Sequence, residues 1–532
     1  MAVVLAAGMW LGPTLQASGQ GPASKAQEGS GADRGRILLV LPFDNGTAQP
    51  SLEWIREAAA ELLSSRFASA GFSPMNRQDR LYALDHLGLP EGFQPSRASS
   101  LKLAQTLDAD SIIVGAYRME GTDLVAEARV VDVPHLRMSQ MVTARGDLRN
   151  LIAVFDSLAW KLTRVLDPGF SVAEETFVAT GKTIRVDAFE QYIRGITEPD
   201  QAERQRHLEQ AVKLSSDFAP AWMALGREDY AEQQYEQAAA AFARVGQNSP
   251  DALEAGFYRG LSLLFFGEYT KAEAAFKGVA QVLPLPEVLN NEGVAVSRQG
   301  HDGGALFRQA IAADPSVADY HFNLAVSLKR RGSDVEALTE LNQSLKLRPN
   351  DSEAQGLLAA WKTPAKTATD ADAKADPLER IVRTFDAAAF RQAAVMMDQM
   401  EATRLAALSP RERSLRLAAQ AKDYLHRGLL LESERLYQSA VAADGSVAEA
   451  HAGLAEVRER TGDVAAARKE AEAALALTPL AEAHLVLARL DLAAGHLDDA
   501  GKEAGAALKL DPGSRSAQDL SRQIAAKAAA KQ

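Results

Sequence analysis

The sequence contains no cysteine. That excludes disulfide staples, thiolate zinc sites, iron–sulfur clusters, a cysteine nucleophile and a lipidated cysteine anchor. Aromatic residues make up only 6% of the 532 positions, so the cores must be built from alanine and leucine, which points to close helix–helix packing. An excess of positive charge is also missing: 58 Lys and Arg stand against 70 Asp and Glu, a formal net charge of −12. A protein that coats nucleic acid needs a basic footprint, so no nucleic-acid partner is expected. Long apolar runs are absent as well. The stretch Ala2–Gly12 falls short of the ~20 apolar residues a spanning helix needs, and Leu261–Gly267, the densest later run, is shorter still. No integral membrane span is expected.

What is present looks like an ordinary folded protein, with 47% hydrophobic and 24% charged residues. The length predicts several domains, because a single core rarely grows past ~250–300 residues. Ala2–Gly12 has the length of the apolar part of a secretory signal, and small residues at Ala17 and Ser18 suit a cleavage site. The basic start of such a signal is missing, since no Lys or Arg precedes Lys25. Residues 1–35 are read as a signal peptide and a Gly/Ser-rich linker. The expected location is the periplasm or cell envelope, with the cytoplasm as the alternative.

Residues 36–168 read as an α/β domain. Arg36–Phe43 is a continuous apolar run closed by Pro42 and Asp44-Asn45-Gly46, a buried strand and a turn. Leu52, Ile55, Ala59, Leu62, Leu63 and Phe67 recur at helical spacing opposite Glu53, Arg56, Glu57 and Glu61. Helices are expected over Arg77–Leu87 and Ser99–Leu107, and a strand over Asp110–Tyr117. Leu124–Val133 and Arg137–Ala144 read as paired strands joined at Pro134-His135, and Asp147–Leu166 as a closing helix. The ordered set LLVLPFDN, LEWIREAAAELLSSRF, DADSIIVGAY and LVAEARVVDV resembles the TolB amino-terminal-like and CsgG-like envelope domains. The resemblance implies an envelope-associated, partner-binding domain. It departs from that pattern at Pro134-His135-Leu136, and it lacks the membrane hairpins and lipidated cysteine of CsgG.

Self-similarity at a fixed period is the strongest signal in the chain. Gly226, Ala238, Phe242 and Pro250 recur 34 residues later as Gly260, Ala272, Phe276 and Pro284. The ending returns at Pro315 after a shortened unit and at Pro349, and a degenerate unit, Asp187–Phe218, opens the series. Further on, His451, Leu454, Gly462, Ala467 and Pro479 recur 33 residues later as His484, Leu487, Gly495, Ala500 and Pro512. Small residues on both helices let them approach closely, large ones such as Phe242 and Phe276 are expected to fill the gap to the next unit, and the proline ends each unit. The pattern Trp222-x-x-Leu225-Gly226, then Ala238-x-x-x-Phe242 and Pro250, is similar to the tetratricopeptide repeat family. The expected fold is therefore multidomain: the α/β domain, then an all-α superhelical solenoid of tetratricopeptide type in two arrays, 187–362 and 412–525, with about four units plus the opener and about three units. Residues 169–186 and 363–377 are read as linkers, 378–411 as a helical hairpin with Ile381, Phe385, Phe390, Met396, Met397 and Met400 as its apolar set, and 526–532 as a tail. Alanine at Ala471 and Ala504 predicts looser packing in the second array.

Catalytic constellations are not found. Gly181-Lys182-Thr183 lacks the upstream glycine of a phosphate loop, because position 176 is Thr176. The nine histidines are scattered, and the spacing of His451 and His484 is the spacing of the repeat. No enzyme activity, cofactor or metal is expected. The expected partner is a protein, as a peptide or helix held in the groove of the repeats. Met223, Arg227, Tyr230, Phe257, Leu261, Phe322, Lys329 and Arg330 fall at concave positions of the first array. They differ from the Lys and Asn pairs of carboxylate-clamp repeats, which hold chaperone tails. The leading function is an envelope interaction scaffold. The alternative is a sensor whose α/β domain binds a small molecule or cell-wall fragment and modulates the repeats. A hydrolase with repeat-borne substrate binding ranks last.

Overall fold

The computed structural model of the chain describes residues 37–93, 96–181, 184–362 and 377–531. The expected signal and linker over 1–35, the linker residues 363–376, and Lys182-Thr183 of the phosphate-loop-like motif lie outside the described residues.

The amino-terminal domain is an α/β/α sandwich. Strand β1 (Ile37–Val40) lies between β3 (Ser73–Pro74) and β4 (Ser111–Glu120), parallel to both. Pro42 interrupts the apolar run, and the chain resumes as β2 (Asp44–Asn45), also parallel to β4. From β4 the sheet turns antiparallel through β5 (Asp123–Asp132), which pairs with β6 (Arg137–Met138) and β7 (Val142–Asp147). The single strand expected over Arg137–Ala144 is thus two short ones. Between them the Ser139 hydroxyl accepts the Val130 N–H and replaces a ladder bond. Alternation along β1 sorts the core. Leu38 and Val40 face α1 (Ile55–Ser69) and α4 (Leu151–Leu166), while Leu39 and Leu41 face α2 (Arg77–His86) and α3 (Arg97–Thr106). Gly115 is required on β4, since a Cβ there would lie 2.4 Å from the Phe43 ring.

Helix pairs follow. In the first array they are Val186–Thr197 with Gln201–Leu214, Ala219–Ala231 with Tyr235–Phe242, Ala252–Phe266 with Tyr269–Val282, Pro286–Arg298 with Gly304–Ala313, and Ala318–Arg330 with Asp334–Leu347, then a closing helix Ser352–Lys362. In the second array they are Pro410–His426 with Leu430–Ala443, Ala448–Thr461 with Val464–Leu477, and Ala481–Ala494 with Leu497–Leu510. Ala471 and Ala504 are fully buried, so the smaller residues leave no solvent-open gap. Helix Arg515–Lys531 closes this array, so residues 526–531, read as a tail, are helical. No helix among the described residues is long and apolar enough to cross a membrane.

Three further readings are corrected. Residues 169–186 are not simply a linker: they contain α5 (Glu174–Gly181), whose buried Phe177 joins the α/β core. The same core runs on into Phe189, Ile193 and Leu208 of the opening repeat. The expected hairpin over 378–411 is instead an extended strap, residues 377–386, followed by one helix, Ala387–Ala406. Met396, Met397 and Met400, expected in the hairpin's apolar set, are exposed. The second array also folds back on the α/β domain. Buried Glu434 accepts from the Thr176 hydroxyl and, at 3.2 Å, from the Ala173 N–H, while Arg435 reaches the Ser69 carbonyl at 2.9 Å. Burial raises the Glu434 carboxyl above its ordinary range, against the Thr176 bond and nearby Arg458.

Candidate functional site

The concave face of the first array is lined by Ala252–Phe266, Pro286–Arg298 and Ala318–Arg330, the first helices of three successive pairs. The strap lies across them, running opposite to the order of the repeats. Its backbone is gripped by asparagines that are themselves fully buried. Asn291 receives the Val382 N–H at 2.9 Å and donates to the Val382 carbonyl at 2.7 Å, so one side-chain amide pairs with both backbone groups as a neighbouring strand would. Asn323 does the same for Arg380, accepting its N–H at 2.6 Å and donating to its carbonyl at 2.8 Å. Asn290 adds a second donor to that carbonyl at 3.1 Å, and its own oxygen accepts from Asn323 at 2.8 Å. Glu287 takes the Asp386 N–H at 3.1 Å. Burial, the largest influence on the Glu287 carboxyl, raises it.

Two side-chain pockets of opposite sign sit next to each other. Glu379 is buried between Arg330, in a short contact, and Arg298, whose Nε lies 3.4 Å away. These arginines also hold backbone: Arg298 donates to the Glu379 carbonyl at 3.1 Å and Arg330 to the Pro377 carbonyl at 2.8 Å. One residue on, the Arg380 guanidinium stacks 3.6 Å from the centroid of the Phe322 ring. Its nitrogens reach Asp319 at 3.0 Å, Asp351 at 2.9 Å and Glu353 at 2.7 Å. Burial weakens the charged guanidinium, but the bonds to Asp351, Glu353 and Asp319 outweigh it and raise Arg380 above its ordinary range. Reciprocally, the Arg380 bond lowers the Asp351 carboxyl. Beyond these pockets Ile381 and Phe385 join the array's apolar core, with the Phe385 and Phe257 rings 5.5 Å apart. Arg383 lies over Phe265 at 5.0 Å.

Three stretches of the chain, 223–281, 297–352 and 418–482, match the family model for the tetratricopeptide repeat. The chain carries tetratricopeptide repeats. No curated protein matches it. Among solved structures it is similar to the LpoB carboxy-terminal domain from Salmonella enterica, at 18% identity over 22% of this chain and 86% of that one, TM-score 0.20. It is also similar to YrrB, described as a TPR protein with an unusual peptide-binding site, at 15% identity over 38% of this chain and 98% of that one, TM-score 0.29. A third is MamA, at 14% identity over 30% of this chain and 96% of that one, TM-score 0.28.

The tetratricopeptide array brings three of the eight expected concave residues to the strap: Phe257, Phe322 and Arg330. Leu261 is buried in the same apolar cluster. Met223 is closed into helix packing with Ala238, Phe242 and Ala255. Arg227 pairs with Glu254 at 2.7 Å, and Tyr230 packs edge-on or tilted in a ring cluster with Tyr235, Tyr258 and Phe265. Lys329 turns to Asp334 at 2.8 Å and lies over Trp361 at 5.7 Å. Of the expected concave residues, Met223, Phe257, Leu261 and Phe322 are buried, by neighbouring helices and by the strap. Sequence reasoning missed Asn290, Asn291 and Asn323. For the first two the signal was adjacent asparagines in mid-helix, flanked by Val288, Leu289 and Val294, poor helix formers with no capping role. Among the described residues no group of three or more His, Asp or Glu is placed to hold a metal.

Proposed function

We propose that this chain is a non-enzymatic interaction scaffold of the bacterial cell envelope, and that its first array holds an extended protein segment in its concave face. The strap carries this reading. A groove that satisfies both backbone groups of alternate residues through side-chain amides is built for an extended peptide, not for a helix, whose backbone groups are already paired. The envelope assignment rests on the resemblance of residues 36–168 to TolB amino-terminal-like and CsgG-like domains and on the apolar opening Ala2–Gly12.

Affinity capture from native envelopes, with either array deleted, tests the scaffold. Loss of a defined set of proteins with the first array is the expected result. If both deletions retain what the full chain retains, the arrays are not the binding element. Fractionation with amino-terminal sequencing tests the location, and a full-length cytoplasmic product overturns it. One observation favours the sensor alternative: a cavity of about 250 Å³ in the α/β domain, bounded by Pro42, Asp44, Arg56, Val114 and Glu127. A thermal shift of this domain with soluble cell-wall fragments, absent in an Arg56→Ala variant, distinguishes that reading.

A further inference from the structure

The strap is more than a brace. Ile381 and Phe385 give it the apolar contact that any bracing segment has, but the rest of its grip reads identity. Its backbone is matched by amides. Its acid lies between two arginines, and its arginine lies among three carboxylates on an aromatic face. Paired buried charges add little net stability but discriminate strongly, because a wrong partner strands a charge. The strap also forms no secondary structure of its own, and Leu378, Arg383 and Thr384 remain exposed. It therefore has the form of a ligand delivered by the same chain.

From this we infer that residues 377–386 are an internal pseudo-ligand, and that the first array recognises a partner protein's extended segment with the same order of chemistry: a carboxylate, an arginine next to it, two aliphatic residues, and an aromatic three residues further on. The partner binds by displacing the strap. This rests on the peptide-binding reading above and adds its specificity and its regulation. The order of the charges is the discriminating feature. With acid and base exchanged, a carboxylate faces Asp319, Asp351 and Glu353 while an arginine faces Arg298 and Arg330. The strap restrains binding because a segment tethered beside its own receptor competes at an effective concentration on the order of millimolar.

The test uses the full chain and a fluorescent decapeptide of sequence PLERIVRTFD, followed by anisotropy. The wild-type chain binds it weakly. An Arg380→Ala chain, whose strap has lost its arginine, binds it roughly tenfold or more tightly by comparison, because the internal competitor is weakened. A decapeptide with the glutamate and first arginine exchanged binds the Arg380→Ala chain roughly tenfold or more weakly than the original. Hydrogen exchange on the wild-type chain supplies a readout that no variant can confuse: saturating decapeptide speeds exchange at the Arg380 and Val382 amides, which Asn323 and Asn291 hold. Equal affinity for the two chains, with no change in exchange, overturns the displacement while leaving a peptide-binding groove. Equal binding of the exchanged peptide overturns the charge code. A decapeptide that binds neither chain overturns the whole inference, and the array deletions then judge the scaffold reading separately.

Discussion

In the first array a glycine on the first helix of a pair faces a phenylalanine on the second. A Cβ at Gly226, Gly260 or Gly293 would lie 2.8, 2.7 or 2.7 Å from the rings of Phe242, Phe276 and Phe307. In the second array the opening pair keeps an aromatic, Tyr437, but the two later cores are alanine on alanine: Ala455, Ala467 and Ala471, then Ala488, Ala500 and Ala504, all buried. The two arrays also use their surfaces differently. The first turns its concave face on the chain's own strap, whereas the second turns its opening pair on α5 of the α/β domain. A repeat unit thus sets how helices stack but leaves open which face closes on what, and polar side chains decide that: asparagines in one array, Glu434 and Arg435 in the other.

The difference in packing is broken most directly at Phe276. Phe276→Ala leaves Gly260 facing a void, with no small-to-small contact to replace the ring, and costs about 3–5 kcal/mol. Hydrogen exchange over Ala252–Phe266 and Tyr269–Val282 measures it locally, as suits a chain of several cooperative units. A cost below about 1 kcal/mol would mean that the phenylalanine is not what spaces these helices. The difference in docking is broken at Glu434. Glu434→Ala leaves the Thr176 hydroxyl and the Ala173 N–H without their buried acceptor and costs about 2–3 kcal/mol. Faster proteolysis between α4 and the opening repeat is the expected sign, and an unchanged rate would show that the second array does not brace the domain. The reverse insertion, Ala471→Phe, overfills the alanine core and costs about 1–3 kcal/mol by the same exchange measurement over Ala448–Leu477. Indifference to the added ring would show spare room between those helices.

How much of this was legible in the sequence follows the same division. The repeats were, because the return of glycine and phenylalanine after 34 residues is a packing requirement written into residue size. So were the α/β elements, whose apolar periods change with their geometry. The strap was not. Leu378, Ile381, Val382 and Phe385 fit a helical face by spacing, yet Asn291 and Asn323 give Val382 and Arg380 strand-like partners, and tertiary hydrogen bonds outweigh the local preference. Helix α5 was hidden for a related reason. Its core contribution is chiefly Phe177, so no period announces it, and its position depends on Glu434, far off in sequence. Of the groove, single aromatic and basic residues were visible as concave positions. The asparagines that grip backbone were not, because a polar residue in a helix ordinarily faces solvent.

The finest difference concerns a histidine. Trp222 opens the pattern in the first array, while His451 and His484 stand at that place in the second, and His321 in the last pair of the first. Each histidine Nδ1 meets a glutamate 19 residues on: Glu340 at 2.7 Å, Glu470 at 2.6 Å and Glu503 at 2.6 Å. At His451 the Glu470 bond raises the imidazole above its ordinary 6.5, against burial, and the same bond lowers Glu470 below its ordinary 4.5. The signs combine in one window. A raised histidine contributes fully below 6.5 and is lost as pH rises through its folded value, while a lowered carboxylate contributes above 4.5 and is lost as pH falls. The pair therefore stabilises the second array most between about pH 4.5 and 6.5. Its contribution is below about 1 kcal/mol, the scale of a single ion pair near the surface. In His451→Gln the melting temperature of this array loses part of its decline above pH 6.5. An identical decline in the variant and the wild type would show that the histidine fills the tryptophan's place by shape alone.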